Sequence, residues 1–213
     1  MTNPHQGQPV RAAGVSLDQA RCAMVMVHGR GASAESILTL VPAIDTGDFA
    51  FLAPNAAGGT WYPNSFLAPI PSNEPGITSG LEAIDGVIDS VVAAGIPLER
   101  TMLLGFSQGA CLSLEYAARN AKRYGGICTL SGGLIGPNGT PRDYAGNFAG
   151  TPAFLGCSDI DGHIPAARVV ESADVLKRMG AVVIMKLYPG MGHLINEDEI
   201  EHVRAMMNEV AAS

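Results

Sequence analysis

Apolar residues in this chain are grouped in two ways, and the contrast predicts its elements. Short runs with little polar alternation lie at Cys22–Val27, Phe49–Ala53, Thr101–Leu104, Gly126–Ser131, Pro152–Gly156 and Val182–Tyr188. A strand reads that way when both of its faces are covered, as in a parallel sheet. The segments between them carry helical spacing instead. Ile77, Leu81, Ile84, Ile88 and Val91 fall on one face of a helix over 77–94, with Glu82, Asp85 and Asp89 on another. Gly95 and Pro97 end it. A second helix over about 165–179 buries Val169, Ala173 and Leu176. In the last, Ile200, Val203, Met207 and Val210 face inward, and Asn196 with Glu199 forms a capping box. Ser33 is placed to cap a short helix carrying Ile37, Leu38 and Val41, limited by Pro42. Strands alternating with helices predict an α/β fold, a mostly parallel sheet with helices on both faces. With no internal repeat or boundary, residues 1–213 read as a single domain. Residues 1–20 are polar and read as irregular, with at most a short edge hairpin near Arg11–Ser16.

The least regular stretch, 56–76, mixes Pro63, Pro69, Pro71 and Pro75 with Trp61, Tyr62, Phe66, Leu67 and Ile70. A loop that long is functional or disordered, and its apolar content argues against disorder. It is expected to cover a site, although a proline-rich loop docked on the core reads as well. Charged residues make up only 15% of the chain, which fits a compact fold, and the net charge of −7 argues against a nucleic-acid partner. No apolar run is long enough to span a bilayer. The opening Met1–Pro9 has neither a basic nor an apolar signal region, so a cytoplasmic location is expected. Cys22, Cys111, Cys128 and Cys157 are spaced for neither a disulfide framework nor a zinc site and are expected as buried free thiols.

The candidate chemistry centres on Gly105-Phe106-Ser107-Gln108-Gly109, set between an apolar strand and an alanine-rich helix. That is the G-x-S-x-G nucleophile elbow in the context that gives the motif meaning. The turn must be sharp to lift the hydroxyl clear of strand and helix, and flanking glycines permit it. A serine needs an imidazole to take its proton and a carboxylate to orient that imidazole. In a parallel sheet such groups gather in loops beyond the carboxyl ends of strands. The loop 156–165 offers Asp159, Asp161 and His163, and the loop 188–194 offers His193. His28 reads as a brace for its own loop, His5 as a tail residue and His202 as a surface helix residue. Cys111 reads as core and Ser131 as a backbone-bonding loop residue. Glu82, Asp85 and Asp89 have a solvated-face pattern and are set aside.

The chain resembles the bacterial carboxylesterase/phospholipase family of α/β-hydrolases, which includes the acyl-protein thioesterases. The resemblance runs from Cys22 onward and rests on His28-Gly29-x-Gly31, the elbow, Asp161-x-x-Ile164-Pro165 and Pro189-x-x-x-His193. It implies a single-domain α/β-hydrolase fold with Ser107 as nucleophile, Asp161 as orienting acid and His193 as general base. It also implies an oxyanion hole from the backbone N–H groups of Arg30 and Gln108. Carboxylic esters, thioesters or lysophospholipids are the implied small-molecule substrates, with no metal or organic cofactor and with a homodimer as a family-level expectation. Trp61, Phe66, Leu67, Ile70 and Ile164 are the candidate substrate-contacting residues, Trp61 and Tyr62 reading equally as core anchors. The chain departs from the family at Cys157-Ser158, where His-Gly is common, and at Arg30, where an apolar residue is usual.

Overall fold

The computed structural model describes residues 3–45 and 47–213. Seven strands form one sheet: β1 (Val10–Gly14), β2 (Cys22–Val27), β3 (Phe49–Pro54), β4 (Thr101–Phe106), β5 (Gly126–Leu130), β6 (Pro152–Ser158) and β7 (Val182–Tyr188). Their order is β1-β3-β2-β4-β5-β6-β7. Every pairing is parallel except β1 with β3. The helices are α1 (Ala34–Leu38), α2 (Val41–Ile44), α3 (Gly76–Ala93), α4 (Gln108–Arg119), α5 (Ala166–Arg178) and α6 (Glu197–Ala212). No described helix is long and apolar enough to cross a membrane.

Period-two geometry divides each of the strands β2–β6 between two cores. Ala23, Val25 and Val27 face a core shared with α3, α4 and α5, while Cys22, Met24 and Met26 face one shared with α1, α2 and α6. Both faces of β2–β6 are therefore dry, which is why those strands read as unbroken apolar runs, whereas Val182 and Ile184 stay exposed on the outer strand β7. All four cysteines are buried and free.

The N-terminal segment departs from expectation. Residues 10–14 form no hairpin; they pair antiparallel along β3, from Val10 opposite Pro54 to Gly14 opposite Ala50. Backbone pairing holds this edge strand, since its own side chains stay largely exposed. His5 is buried rather than a free tail residue. Its Nδ1 accepts from the Ala57 N–H at 3.0 Å, which leaves Nε2–H to donate to the Trp61 carbonyl at 2.9 Å.

The capping box of α6 forms as its residues predict: the Asn196 side chain accepts from the Glu199 N–H, and Glu199 Oε2 accepts from the Asn196 N–H at 2.9 Å. Glu199 Oε1, by contrast, is buried without a partner. Burial, opposed by the Asn196 bond and aided by the Asp198 charge, pushes its carboxyl up to about 7. Between the ordinary carboxylate range and pH 7 the folded state therefore binds more protons than the unfolded one, and stability falls as pH rises through that window. Glu199→Gln keeps the cap and cannot ionise. Thermal unfolding should show the variant melting higher than wild type at pH 8, with the gap closing at pH 5. Each kcal/mol moves Tm by about 2–4 °C in a chain of this size.

Candidate active site

Ser107 directly follows β4 and caps α4 with φ 56° and ψ −121°, a conformation that a side-chain-bearing residue rarely adopts. The turn is held on both sides: the Ser107 N–H donates to the Leu130 carbonyl at 3.0 Å and its carbonyl accepts from Cys111 N–H at 3.0 Å. Flanking glycines are required by space. A Cβ on Gly105 would stand 2.4 Å from the Gly109 carbonyl oxygen, and one on Gly109 would stand 2.2 Å from that of Val27.

The loops after β6 and β7 bring their groups to this hydroxyl. His193 Nε2 lies 2.8 Å from Ser107 Oγ, and His193 Nδ1 lies 2.7 Å from Asp161 Oδ2. An ionised carboxylate only accepts, so Nδ1 carries the proton and Nε2 faces the hydroxyl with its lone pair. Asp161 Oδ1 accepts from the N–H groups of His163 at 2.8 Å and Ile164 at 3.1 Å. Burial works to raise the Asp161 carboxyl, but the His193 bond and these two N–H groups more than offset it and hold it below the usual range. It is therefore a carboxylate at neutral pH. Phe106 packs along His193 with ring centroids 5.1 Å apart.

The other candidates take different places. Asp159 accepts from the Gly190 N–H at 2.8 Å, tying the two loops together without touching His193. Ser158 does the same through Gly192 N–H at 3.0 Å. Cys157 directs its thiol to Asp161 Oδ2 at 3.7 Å; burial and the Asp161 charge push that thiol up to about 12. His163 stands edge-on to His193 at 4.8 Å and faces the cleft. His28 is buried, with Nδ1–H donating to Gly29 and Nε2 accepting from Ala56 N–H. Burial lowers its pKa, and with both nitrogens engaged it braces its loop. Cys111 is buried and its thiol is pushed up to about 12 by burial. The Ser131 N–H bonds the Gly156 carbonyl at 2.7 Å. His202 stacks on Phe154 at 4.5 Å.

A cleft of about 380 Å³ opens over Ser107 and His193, walled by Tyr62, Phe66, His163 and Ile164. Phe66 and Ile164 thus stand where they were expected, and three expected wall residues do not. Trp61 is fully buried: its indole N–H donates to the His28 carbonyl at 2.9 Å and its ring packs between His5 and His28. Leu67 and Ile70 are half-buried against the core rather than in the cleft. Only residues 62–66 of the 56–76 loop border the cleft, while Ala56, Trp61, Leu67 and Ile70 on either side of them pack on the core.

Two side chains hold this loop: that of Gln108, to which the sequence assigned no role, and that of Arg30, read from the sequence only as an influence on which leaving groups enter. Gln108 accepts from the Trp61 N–H at 3.0 Å and donates to the Tyr62 carbonyl at 2.7 Å. The Arg30 guanidinium donates to the carbonyls of Pro63 at 2.8 Å and Asn64 at 2.6 Å. Both act between segments more than thirty residues apart, and no local pattern reveals such pairs. Among the described residues, no group of three or more His, Cys, Asp or Glu is gathered to hold a metal ion.

Comparison with known proteins places the chain. Residues 15–211 match the family model for phospholipase/carboxylesterase. The crystal structure of a phospholipase/carboxylesterase from Dyadobacter fermentans superposes with a TM-score of 0.91 at 41% identity, covering 95% of this chain and 97% of that one. An acyl-protein thioesterase 1 from Gibberella zeae is 31% identical over 63% of this chain, a match spanning only 58% of that protein's own length. A probable carboxylesterase, SOBER1-like, from Arabidopsis thaliana is 26% identical over 89% of this chain and 79% of its own.

Proposed function

The chain belongs to the phospholipase/carboxylesterase family of hydrolases, and from that premise we propose that it is a serine carboxylesterase acting on short- to medium-chain esters. The observation that carries this reading is the continuous hydrogen-bonded chain from Ser107 through His193 to Asp161, at 2.8 Å and 2.7 Å.

Ser107 Oγ attacks the ester carbonyl as His193 Nε2 takes its proton. Asp161 holds the imidazole in the tautomer described above and stabilises the imidazolium that forms. The tetrahedral oxyanion is received by the backbone N–H groups of Arg30 and Gln108. Gln108 opens α4, where an N–H has no acceptor within the helix, and among the described residues the Arg30 N–H has no backbone acceptor, which supports both assignments. Collapse expels the alcohol, which takes the proton from His193. Water then attacks the acyl carbonyl as His193 Nε2 takes its proton; the bond from the acyl carbon to Ser107 Oγ breaks, His193 returns the proton to Oγ, and the carboxylic acid leaves.

Short acyl groups are favoured by the size of the cleft, about 380 Å³, near the low end for ligand pockets. A series of 4-nitrophenyl esters from acetyl to palmitoyl tests this. The expected kcat/KM peaks between acetyl and hexanoyl and falls for dodecanoyl and longer chains. A long-chain optimum would instead favour the acyl-protein thioesterase activity named for the Gibberella relative.

A further inference from the structure

The Arg30 side chain leaves the chain one residue beyond Gly29, a position so close to the elbow that a Cβ there would stand 3.3 Å from the Ser107 Cβ. Its guanidinium lines the same cleft as Ser107 and His193. Two of its five N–H bonds go to the Pro63 and Asn64 carbonyls, and its Cζ lies over the Tyr62 ring, 6.0 Å from the ring centre. Those partners are neutral. Among the described residues, no carboxylate lies within ion-pair distance of Arg30, as for Arg100, Arg123, Arg178 and Arg204, but of these only Arg30 borders the cleft. The cleft wall also holds no Asp or Glu, although the chain carries a net charge of −7. The Asp161 side chain, bonded to His193 on the side away from Ser107, is fully buried.

The nucleophile therefore opens onto a cleft whose one permanently charged group is a cation, fixed by two backbone bonds and with N–H donors to spare. A guanidinium matches a carboxylate in shape and charge, and one already held in place loses little freedom on pairing. We propose that Arg30 is a specificity-determining residue, selecting esters that carry a free carboxylate a few bonds from the scissile carbonyl. This rests on the serine-esterase reading given above and narrows its substrate class. The carboxylate could belong to the acyl half, as in the half-ester of a short dicarboxylic acid, or to the alcohol half.

Matched esters test both sources. On the acyl side, monomethyl glutarate is compared with methyl pentanoate and with the neutral methyl glutaramate. On the alcohol side, 4-acetoxybenzoate is compared with 4-acetoxybenzamide. The wild type should prefer the anionic member of at least one set by about tenfold or more in kcat/KM, and the preference should shrink in 0.5 M NaCl as the charges are screened. In Arg30→Gln that ratio should fall towards one, while Arg30→Lys should keep part of it. Both ratios are read within one protein, so a change in overall rate from loosening Pro63 and Asn64 cancels. A wild type that treats both members alike, or prefers the neutral one, overturns the inference and leaves the esterase reading standing. So does an Arg30→Gln variant that loses rate equally on both. A wild type inactive on every ester overturns the esterase reading and this inference with it.

Discussion

Replacing Ser107 with alanine is expected to lower kcat/KM on 4-nitrophenyl butyrate by on the order of 10⁴-fold or more, with the fold intact. The hydroxyl has one described bond, to His193. The backbone bonds that hold the turn run through the Ser107 N–H and carbonyl and survive the change. Alanine keeps the Cβ and with it the strain at φ 56°, so the variant isolates the hydroxyl from the geometry. Ser107→Gly should lose the same activity yet gain about 1 kcal/mol of stability, because glycine adopts this backbone without penalty. Steady-state rates alongside thermal melts of the two variants check both statements. Retained turnover in Ser107→Ala would show that another group is the nucleophile.

A methyl group at Gly109 should damage fold and function together. A Cβ there would stand 2.2 Å from the Val27 carbonyl oxygen and 2.4 Å from that of His28, and neither atom belongs to a flexible side chain. To admit it, α4 must move away from the end of β2, separating Ser107 and Gln108 from the loop that carries Arg30. Such overpacking costs about 3 kcal/mol, a fall in Tm of roughly 6–12 °C for a chain of this size. Displacing the reacting groups by about 1 Å adds a loss of roughly 10²-fold in kcat/KM. Gly86→Ala is the contrast. Gly86 is exposed within α3 with nothing within 4 Å of the added atom, so the same change there should stabilise by about 0.5–1 kcal/mol. Parallel melts of the two variants separate the crowding at the elbow from any general effect of replacing glycine.

How much of this was legible beforehand varied with the physical origin of each feature. Most of the strand and helix order was readable because both faces of the central strands are dry and because Ser33 and Asn196 announce their helices through caps that do form; Pro42, expected to limit the first helix, instead sits in the first turn of α2, and Val41 belongs to that second helix. The placement of Ser107, Asp161 and His193 was readable because the fold gathers loops at one sheet edge, so chain order becomes spatial order. β1 was not, since a short, exposed edge strand is held by its neighbour's backbone and needs no apolar pattern of its own. Trp61 was ambiguous for a different reason. An indole fits a cleft wall and a core equally well, and the choice is made by the His28 carbonyl, thirty-three residues away, accepting its N–H. The buried role of His5 and the Arg30 clasp depend in the same way on backbone groups that only the folded chain brings near. Leu67 and Ile70 belong to the part of the loop that turns back to the core, a direction composition does not encode.

Covalent trapping reports whether Ser107 is the activated nucleophile. A fluorophosphonate reacts with a serine whose proton is being taken by a poised base, and its phosphoryl oxygen sits where an ester's oxyanion would. Intact-mass measurement followed by peptide mapping should find a single adduct, on Ser107, lost in Ser107→Ala and strongly slowed in His193→Ala. An adduct on another residue, or none while the wild type still hydrolyses esters, would contradict the account.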